Sequence, residues 1–209
     1  MRKTDAKECA YFKPCVYLVE TAGGQHAVLK LAYNYDVESH EALQAAHPDL
    51  VPRLIAKEVL NGRYHIVLME YLGESYDTLF NTMVTYGKDI DQKRLKNSLE
   101  DILRKLEALD IVHGDYRSCN ILVKRSQIQA HVQNTSQQQE EQKEIPKIVL
   151  EDFKLISFEF SGKVGTPYPF LAMKNDTINW PPGYKSYWPR KFDHDKFMLD
   201  QMELKGYKI

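Results

Sequence analysis

The chain has 209 residues, of which 43% are hydrophobic and 27% charged, so it is long enough to bury the core of one domain. Its 28 basic and 29 acidic residues give a net charge of −1, which provides no field for holding a polyanion and argues against a nucleic-acid partner. The cysteines, Cys9, Cys15 and Cys119, have no CxxC spacing and predict neither a disulfide framework nor a zinc site. No apolar run approaches the roughly 20 residues of a membrane helix. We therefore expect an intracellular protein, cytoplasmic or nuclear, with no membrane partner.

The first predicted elements are two β-hairpins separated by a helix. Each hairpin has two β-prone segments around a glycine-containing turn: 15–20 with 26–33, and 55–60 with 64–72. The segment 36–47 has helix-forming composition and stops before Pro48. This order predicts a small antiparallel sheet with one helix. Lys30 lies in the second strand, where a solvent-facing lysine is the simpler interpretation if the strand is considered alone.

The second half of the chain has a helical pattern and then a biased segment. Apolar residues recur at helical spacing after Asp91: Leu95, Leu99, Ile102, Leu103, Leu106 and Leu109. We expect 75–90 to be helical in part, a short strand at 121–123, β-like structure in 147–160 and a last helix from near His194. The glutamine-rich stretch 126–144 has little to bury and predicts a surface insertion.

One loop between the long helix and the short strand carries the chemistry. Residues 113–122 read H-x-D-x-R-x-x-N-I-L, which resembles the catalytic loop of the protein-kinase-like superfamily. The resemblance implies that Asp115 is the general base facing the acceptor hydroxyl and that Asn120 turns towards metal and phosphate. It implies that Arg117 neutralises the transferring phosphoryl group, with an exposed salt bridge as the alternative. His113 is expected to pack and brace the backbone.

The segments before this loop follow the order of the same superfamily. HAVLK resembles its third-strand lysine motif, which implies that Lys30 holds the nucleotide phosphates and that Glu38 holds Lys30, with Glu41 as a poorer candidate.

The segment IVLMEYL resembles the hinge strand of that superfamily. It implies that Met69 is the gatekeeper and that the backbone from Glu70 to Leu72 lies against the adenine. The layout, from about residue 15 to the C-terminus, is most similar to compact protein-kinase-like proteins common in fungal genomes.

The metal-binding triplet departs from the family pattern. Lys154 to Glu159 resembles the strand that ends in D-F-G, but the metal aspartate falls on Ser157, whose neutral hydroxyl is a far weaker magnesium ligand. Glu159 could supply a carboxylate instead, or Asp152 could be the metal residue in the competing triplet D-F-K. We favour Ser157 because an apolar strand precedes it. The departure predicts weak or absent catalysis.

Further departures concern the phosphates and the loop. No glycine lies among residues 1 to 22, so the Gly-rich turn of the family is missing or replaced, and the phosphates would be poorly covered. Gly114 replaces the arginine that reads a phosphorylated activation segment, which argues against activation by loop phosphorylation. Asp195 is expected either to brace the catalytic loop or to cap an exposed helix.

Together these features predict one α+β domain, 1–209, with a two-lobed protein-kinase-like fold. A truncated N-lobe sheet would span about 15–72 and a minimal helical C-lobe 73–209. The resemblance implies ATP, weakly held Mg²⁺ and transfer of a phosphoryl group to a Ser/Thr hydroxyl of a protein. The alternatives are a non-catalytic pseudokinase that binds a protein partner as a scaffold or allosteric module, and a small-molecule kinase of the aminoglycoside or choline type. The sequence leaves the oligomeric state open.

Overall fold

The structure, a computed structural model, describes residues 15–60, 64–126, 128, 147–169 and 178–204. Its largest sheet has four antiparallel strands in the order β1-β2-β4-β3. They are β1 (Cys15–Glu20), β2 (His26–Ala32), β3 (Leu54–Leu60) and β4 (Tyr64–Glu70). Both predicted hairpins are therefore confirmed, although the turn of the second lies outside the described residues.

One helix, α1 (Val37–Ala46), connects the two hairpins as predicted. It begins where Asp36 accepts a hydrogen bond from the backbone N–H of Ser39, and it ends at His47, before Pro48. Leu43 is fully buried. The backbone N–H of Asp36 also donates to the carbonyl of Phe158 at 2.9 Å, so the start of the helix is held against the middle residue of the triplet 157–159.

The rest of the described chain carries further helices, separated by loops and short strands. It contains the short strand β5 (Tyr76–Thr78) and the helices α2 (Leu79–Tyr86), α3 (Gln92–Ala108) and α4 (Phe192–Leu204). Asp91 caps α3, and the predicted apolar stripe faces the core: Leu95, Leu99, Ile102 and Leu106 are buried. The last helix begins two residues before the predicted start. None of the helices among the described residues is long and apolar enough to cross a membrane.

Four short strands position the loops between α3 and α4. They are β6 (Ile111–Val112), β7 (Ile121–Lys124), β8 (Phe153–Leu155) and β9 (Gly162–Lys163). β7 lies between β5 and β8, and β6 pairs with β9. Because β7 follows the catalytic loop and β8 precedes Ser157, their pairing brings these two loops together. Within 147–160, where the sequence predicts β-like structure, β8 is a strand and Ile148 forms an isolated bridge with Ile90. Most of the predicted insertion 126–144 lies outside the described residues.

A continuous apolar core joins the sheet to the helices. Val67 and Met69 of β4, Leu43 of α1 and Leu99 of α3 all belong to it. The described structure is thus a mixed α/β fold with a small antiparallel sheet against a helical part, as the sequence predicts.

Candidate active site

Lys30 lies on the buried face of the four-stranded sheet. It pairs across β2 and β4 with Val67, and Val28 pairs with Met69, so these four side chains share one face. Val67 and Met69 are buried, and Lys30 is only 6% exposed. The solvent-facing interpretation of this lysine is therefore wrong.

The ammonium of Lys30 has partners other than the one the family pattern implies. It forms an ion pair with Glu159, donates to the hydroxyl of Ser157 at 3.4 Å and lies 5.6 Å from the centre of the Tyr35 ring. Glu38 is exposed in the first turn of α1, and it forms no ion pair with Lys30. The expected Lys30–Glu38 pair is corrected to Lys30–Glu159, because a glutamate stands at the third position of the triplet, where the family pattern has a glycine.

Glu41, the poorer candidate, is likewise away from this lysine. Its carboxylate pairs with the exposed Lys57 at 2.6 Å.

The three predicted catalytic-loop residues lie together in the structure. Asp115 is 6% exposed and accepts hydrogen bonds on both oxygens. Arg117 binds it with two nitrogens, one at 2.8 Å, and Asn120 donates to the same carboxylate at 2.8 Å and to the Asp115 carbonyl at 2.9 Å. The guanidinium of Arg117 also lies 5.5 Å from the centre of the Trp180 ring. The carboxylate is therefore fixed in one orientation.

Asp195 of α4 braces the start of this loop. Its two oxygens accept the backbone N–H groups of His113 at 2.6 Å and Gly114 at 2.8 Å. Burial raises the pKa of this carboxyl to about 7, and the two hydrogen bonds act in the opposite direction. Of the two interpretations left open for Asp195, the structure selects the brace, since the residue is buried and lies inside the helix.

Gly114 stands where only glycine fits. Its φ is +77°, and a Cβ there would lie 2.5 Å from the carbonyl oxygen of Phe160. Although Gly114 replaces the arginine of the superfamily pattern, another cation lies against Phe160, the residue that Gly114 contacts. Arg190 donates to the carbonyl of Phe160 and to the hydroxyl of Thr166, each at 2.9 Å. Arg190 is 76 residues further along the chain than Gly114, so no local sequence pattern predicts this contact.

Direct contacts join the catalytic loop to the segment that carries Ser157. The N–H of Ile156 donates to the carbonyl of Asn120 at 3.0 Å, and the Nε2–H of His113 donates to the carbonyl of Ile156, also at 3.0 Å. His113 is fully buried, and burial lowers its pKa, with Asp115 and Lys30 both acting on it electrostatically. Lys30 is thus connected to the catalytic loop through Ser157, which follows the residue that His113 contacts.

Ser157 and Asp152 have different surroundings. Ser157 has a φ of +72°, a conformation uncommon outside glycine, and faces Lys30. Asp152 accepts from the hydroxyl of Tyr76 at 2.9 Å and pairs with Lys124 at 3.1 Å. The alternative triplet D-F-K therefore places its aspartate in another polar cluster, and Ser157 is the residue beside the lysine.

The predicted hinge follows β4. Met69 is buried in the core, and Leu72 is half-buried before Gly73, whose φ is +65°. The backbone N–H of Glu70 donates to the carbonyl of Arg53 at 2.8 Å, and its carboxylate accepts from the N–H of Arg53 at 3.0 Å. The roles of these residues towards adenine stay predictions.

Comparison with protein families decides the classification. The model of the RIO domain matches residues 20–171, which is most of the chain and includes Lys30, the catalytic loop, Ser157 and Glu159. This chain belongs to the RIO domain family. The RIO domain lies within the protein-kinase-like superfamily, so the resemblance found in the sequence is confirmed at that level. Comparison with curated proteins finds no match.

The side chains of this RIO domain do not form the donor set that Mg²⁺ prefers. Magnesium takes oxygen ligands, mainly carboxylates and phosphates, but Ser157 offers a hydroxyl, and Glu159 has one oxygen paired with Lys30 and leaves only Oε2 without a hydrogen-bond partner. Asn120 uses its amide hydrogens on Asp115 and offers only its amide oxygen. Within the part of the chain that the structure describes, no three His, Cys, Asp or Glu side chains form a metal-binding group. The lysine of the superfamily pattern is therefore present, but position 157 has a hydroxyl where that pattern has a carboxylate.

The ring contacts of Phe158, which the sequence pattern does not predict, hold Ser157 and Glu159 in position. Its ring is fully buried and stacks on His40 of α1, with ring centres 4.7 Å apart, and it lies 5.4 Å from the ring of His113. Nδ1 of His40 is within 2.8 Å of the Tyr35 hydroxyl, and Nε2 is within 2.8 Å of the Pro52 carbonyl. The aromatic side chain of the triplet therefore fixes Ser157 and Glu159 relative to both α1 and the catalytic loop.

Proposed function

We propose that this RIO domain is an atypical protein kinase that binds ATP next to Lys30 and transfers the γ-phosphoryl group slowly to a Ser/Thr hydroxyl of a protein. One observation carries the proposal. The β7–β8 pairing and the Ile156 contacts place Ser157, and with it the buried ammonium of Lys30, next to the loop that carries Asp115. A cation for the phosphates and a base for the acceptor are the two protein groups that this chemistry needs first.

Asp115 is the group that would accept the proton of the acceptor hydroxyl. Its carboxylate is oriented by Arg117 and Asn120, which suits it to position a nucleophile. Since both oxygens already accept hydrogen bonds, one of them from a cation, the incoming hydroxyl must compete with Arg117. This competition and the hydroxyl at Ser157 both support slow turnover.

Lys30 retains a donor for a phosphate oxygen. An ammonium has three hydrogens, and among the described residues Glu159 and Ser157 are its two polar partners. The third hydrogen can therefore bind phosphate without loss of the ion pair.

A cavity beside the catalytic loop supports a protein acceptor over a cationic small molecule. It has a volume of about 300 Å³ and includes Arg117 and three methionines in its lining: Met83, Met198 and Met202. Among its described lining residues there is no aspartate or glutamate. A cationic aminoglycoside would need acidic groups at such a place, whereas the methionines and Phe80 of this lining fit an apolar side chain next to the acceptor hydroxyl.

The test compares the parent protein with Ser157→Asp in a magnesium-dependent assay of phosphate transfer to a generic protein acceptor. We expect slow transfer by the parent and at least a tenfold gain in the variant. Asp115→Asn in both backgrounds is the matched control and should abolish the transfer. A fully active parent with no gain in Ser157→Asp would refute the view that Ser157 limits the reaction.

The loss of the acidic residue at Ser157 also favours a second candidate, a pseudokinase that binds a protein partner without catalysis. This candidate predicts that Ser157→Asp transfers no phosphate even where ATP raises the melting temperature.

A further inference from the structure

The charges that meet at the candidate phosphate site cancel. Two cations and two carboxylates are present as two pairs: Lys30 with Glu159, and Arg117 with Asp115. In the family pattern an aspartate at position 157 would add one negative charge, which the bound metal ion offsets. Here Ser157 contributes no charge, so a polyanionic ligand meets a neutral site.

The place that a metal ion would take is next to an ammonium. The hydroxyl of Ser157 accepts a hydrogen bond from Lys30 at 3.4 Å, and the same ammonium holds Glu159. A divalent cation bound through Ser157, or through Oε2 of Glu159, which has no hydrogen-bond partner among the described residues, would therefore lie close to the ammonium and compete with it for the same carboxylate. The geometry opposes metal binding at this position beyond the loss of one ligand.

Both cations keep hydrogen-bond donors for a phosphate. Lys30 has one ammonium hydrogen beyond its two polar partners. Arg117 has five N–H donors, and its bonds to Asp115 use one on Nε and one on Nη2. Neither has another hydrogen-bond acceptor among the described residues, so their remaining donors can be offered to phosphate oxygens directly.

We propose that this RIO domain binds the triphosphate of ATP without a divalent cation, with Lys30 and Arg117 donating hydrogen bonds to the phosphate oxygens that magnesium would otherwise contact. The inference rests on the proposed nucleotide-binding function and concerns the affinity for the nucleotide, not the rate of transfer. Metal-independent binding follows from the side chains present. A site without the aspartate binds a metal ion less tightly, and it also repels a metal-free triphosphate less strongly.

The test measures the Kd for ATP by isothermal titration calorimetry, once with EDTA and once with magnesium chloride. For the parent protein we expect the two values to agree within about threefold. In Ser157→Asp, the like charge beside the phosphates should weaken binding in EDTA by about tenfold, and magnesium should restore it by at least the same factor. Asn97→Asp is the matched control, because it adds the same charge at an exposed position on α3, which contributes no residue to the site. It should behave like the parent.

The outcomes separate this inference from the function on which it rests. Binding by the parent that strengthens tenfold or more with magnesium would overturn the metal-independent mode and leave ATP binding intact. A parent that binds ATP in neither buffer would overturn both. Equal loss of affinity in Ser157→Asp and Asn97→Asp would show that net charge, not position 157, governs binding, and would also overturn the inference.

Discussion

The ion pair between Lys30 and Glu159 gives the sharpest test of the site, because the family pattern assigns the partner of Lys30 to Glu38. The perturbation is Glu159→Gln, and Glu38→Gln is the matched control with the same chemical change. The side chains of Lys30 and Glu159 are 7% and 11% exposed, whereas Glu38 is exposed in the first turn of α1. The two substitutions should therefore differ greatly in their effect on stability.

The expected magnitude follows from the environment of the ammonium. Removal of one partner from a buried ion pair costs about 3–5 kcal/mol, because the other charge is left without compensation. The amide oxygen of glutamine can still accept a hydrogen bond from Lys30, and Ser157 remains beside it, so we expect a loss of about 2–3 kcal/mol. Substitutions at exposed positions such as Glu38 usually change stability by less than about 0.5 kcal/mol.

Urea denaturation at neutral pH measures both free energies of unfolding. We expect a lower midpoint with an unchanged m-value for Glu159→Gln and no change for Glu38→Gln. The double variant Lys30→Met with Glu159→Leu should lie within about 1 kcal/mol of the parent, since a buried pair replaced by apolar groups leaves no unpaired charge. If Glu38→Gln proved as costly as Glu159→Gln, Glu38 would be a partner of the lysine in solution, and the reasoning from the structure would be refuted.

Three further predictions concern the loop and its supports. Gly114→Ala should destabilise the fold by about 3 kcal/mol or more, seen as a lower Tm, because the positive φ and the carbonyl of Phe160 leave no room for a methyl group. Burial holds the folded pKa of Asp195 at about 7, above its ordinary value, so this group lowers stability as the pH rises from about 4 to 7. In urea titrations, the parent should therefore lose about 2–4 kcal/mol of stability relative to Asp195→Asn between pH 4 and pH 8. Burial lowers the pKa of His40, so the parent should lose stability relative to His40→Phe as the pH falls from 7 to 5, and an unchanged difference would contradict a neutral imidazole in the fold.

The elements that the sequence predicts well are those fixed by local chemistry. The two hairpins follow from alternating β-prone residues around glycine-containing turns, and α3 follows from its apolar stripe and its cap at Asp91. The catalytic loop is recognisable because Asp115 and Asn120 are five residues apart, and a 3₁₀ turn at Ser118–Asn120 brings their side chains into contact. In each case the interacting groups are close together along the chain.

The partner of Lys30 could not be predicted in this way. Glu159 is 129 positions further along the chain, and the assignment of Glu38 transferred a pattern to a helix whose second residue faces solvent. Arg190 and its contact with Phe160 pose the same difficulty, because no periodicity or motif relates them. Contacts of this kind depend on the tertiary arrangement of loops, which the sequence pattern alone does not specify.

The backbone conformation at Ser157 does not explain why a serine stands at this position. A φ of +72° is adopted more readily by aspartate or asparagine than by serine, so local stability gives no reason to prefer serine there. Its hydroxyl makes one long hydrogen bond, 3.4 Å from the Lys30 ammonium, while the nearby carboxylate of Glu159 takes the ion pair. The charge that neutralises the lysine is thus carried by Glu159, whose Oε1 forms the ion pair and whose Oε2 is buried with no hydrogen-bond partner among the described residues. The kinase-like fold alone therefore does not establish activity, which the variants at Ser157 and Asp115 test.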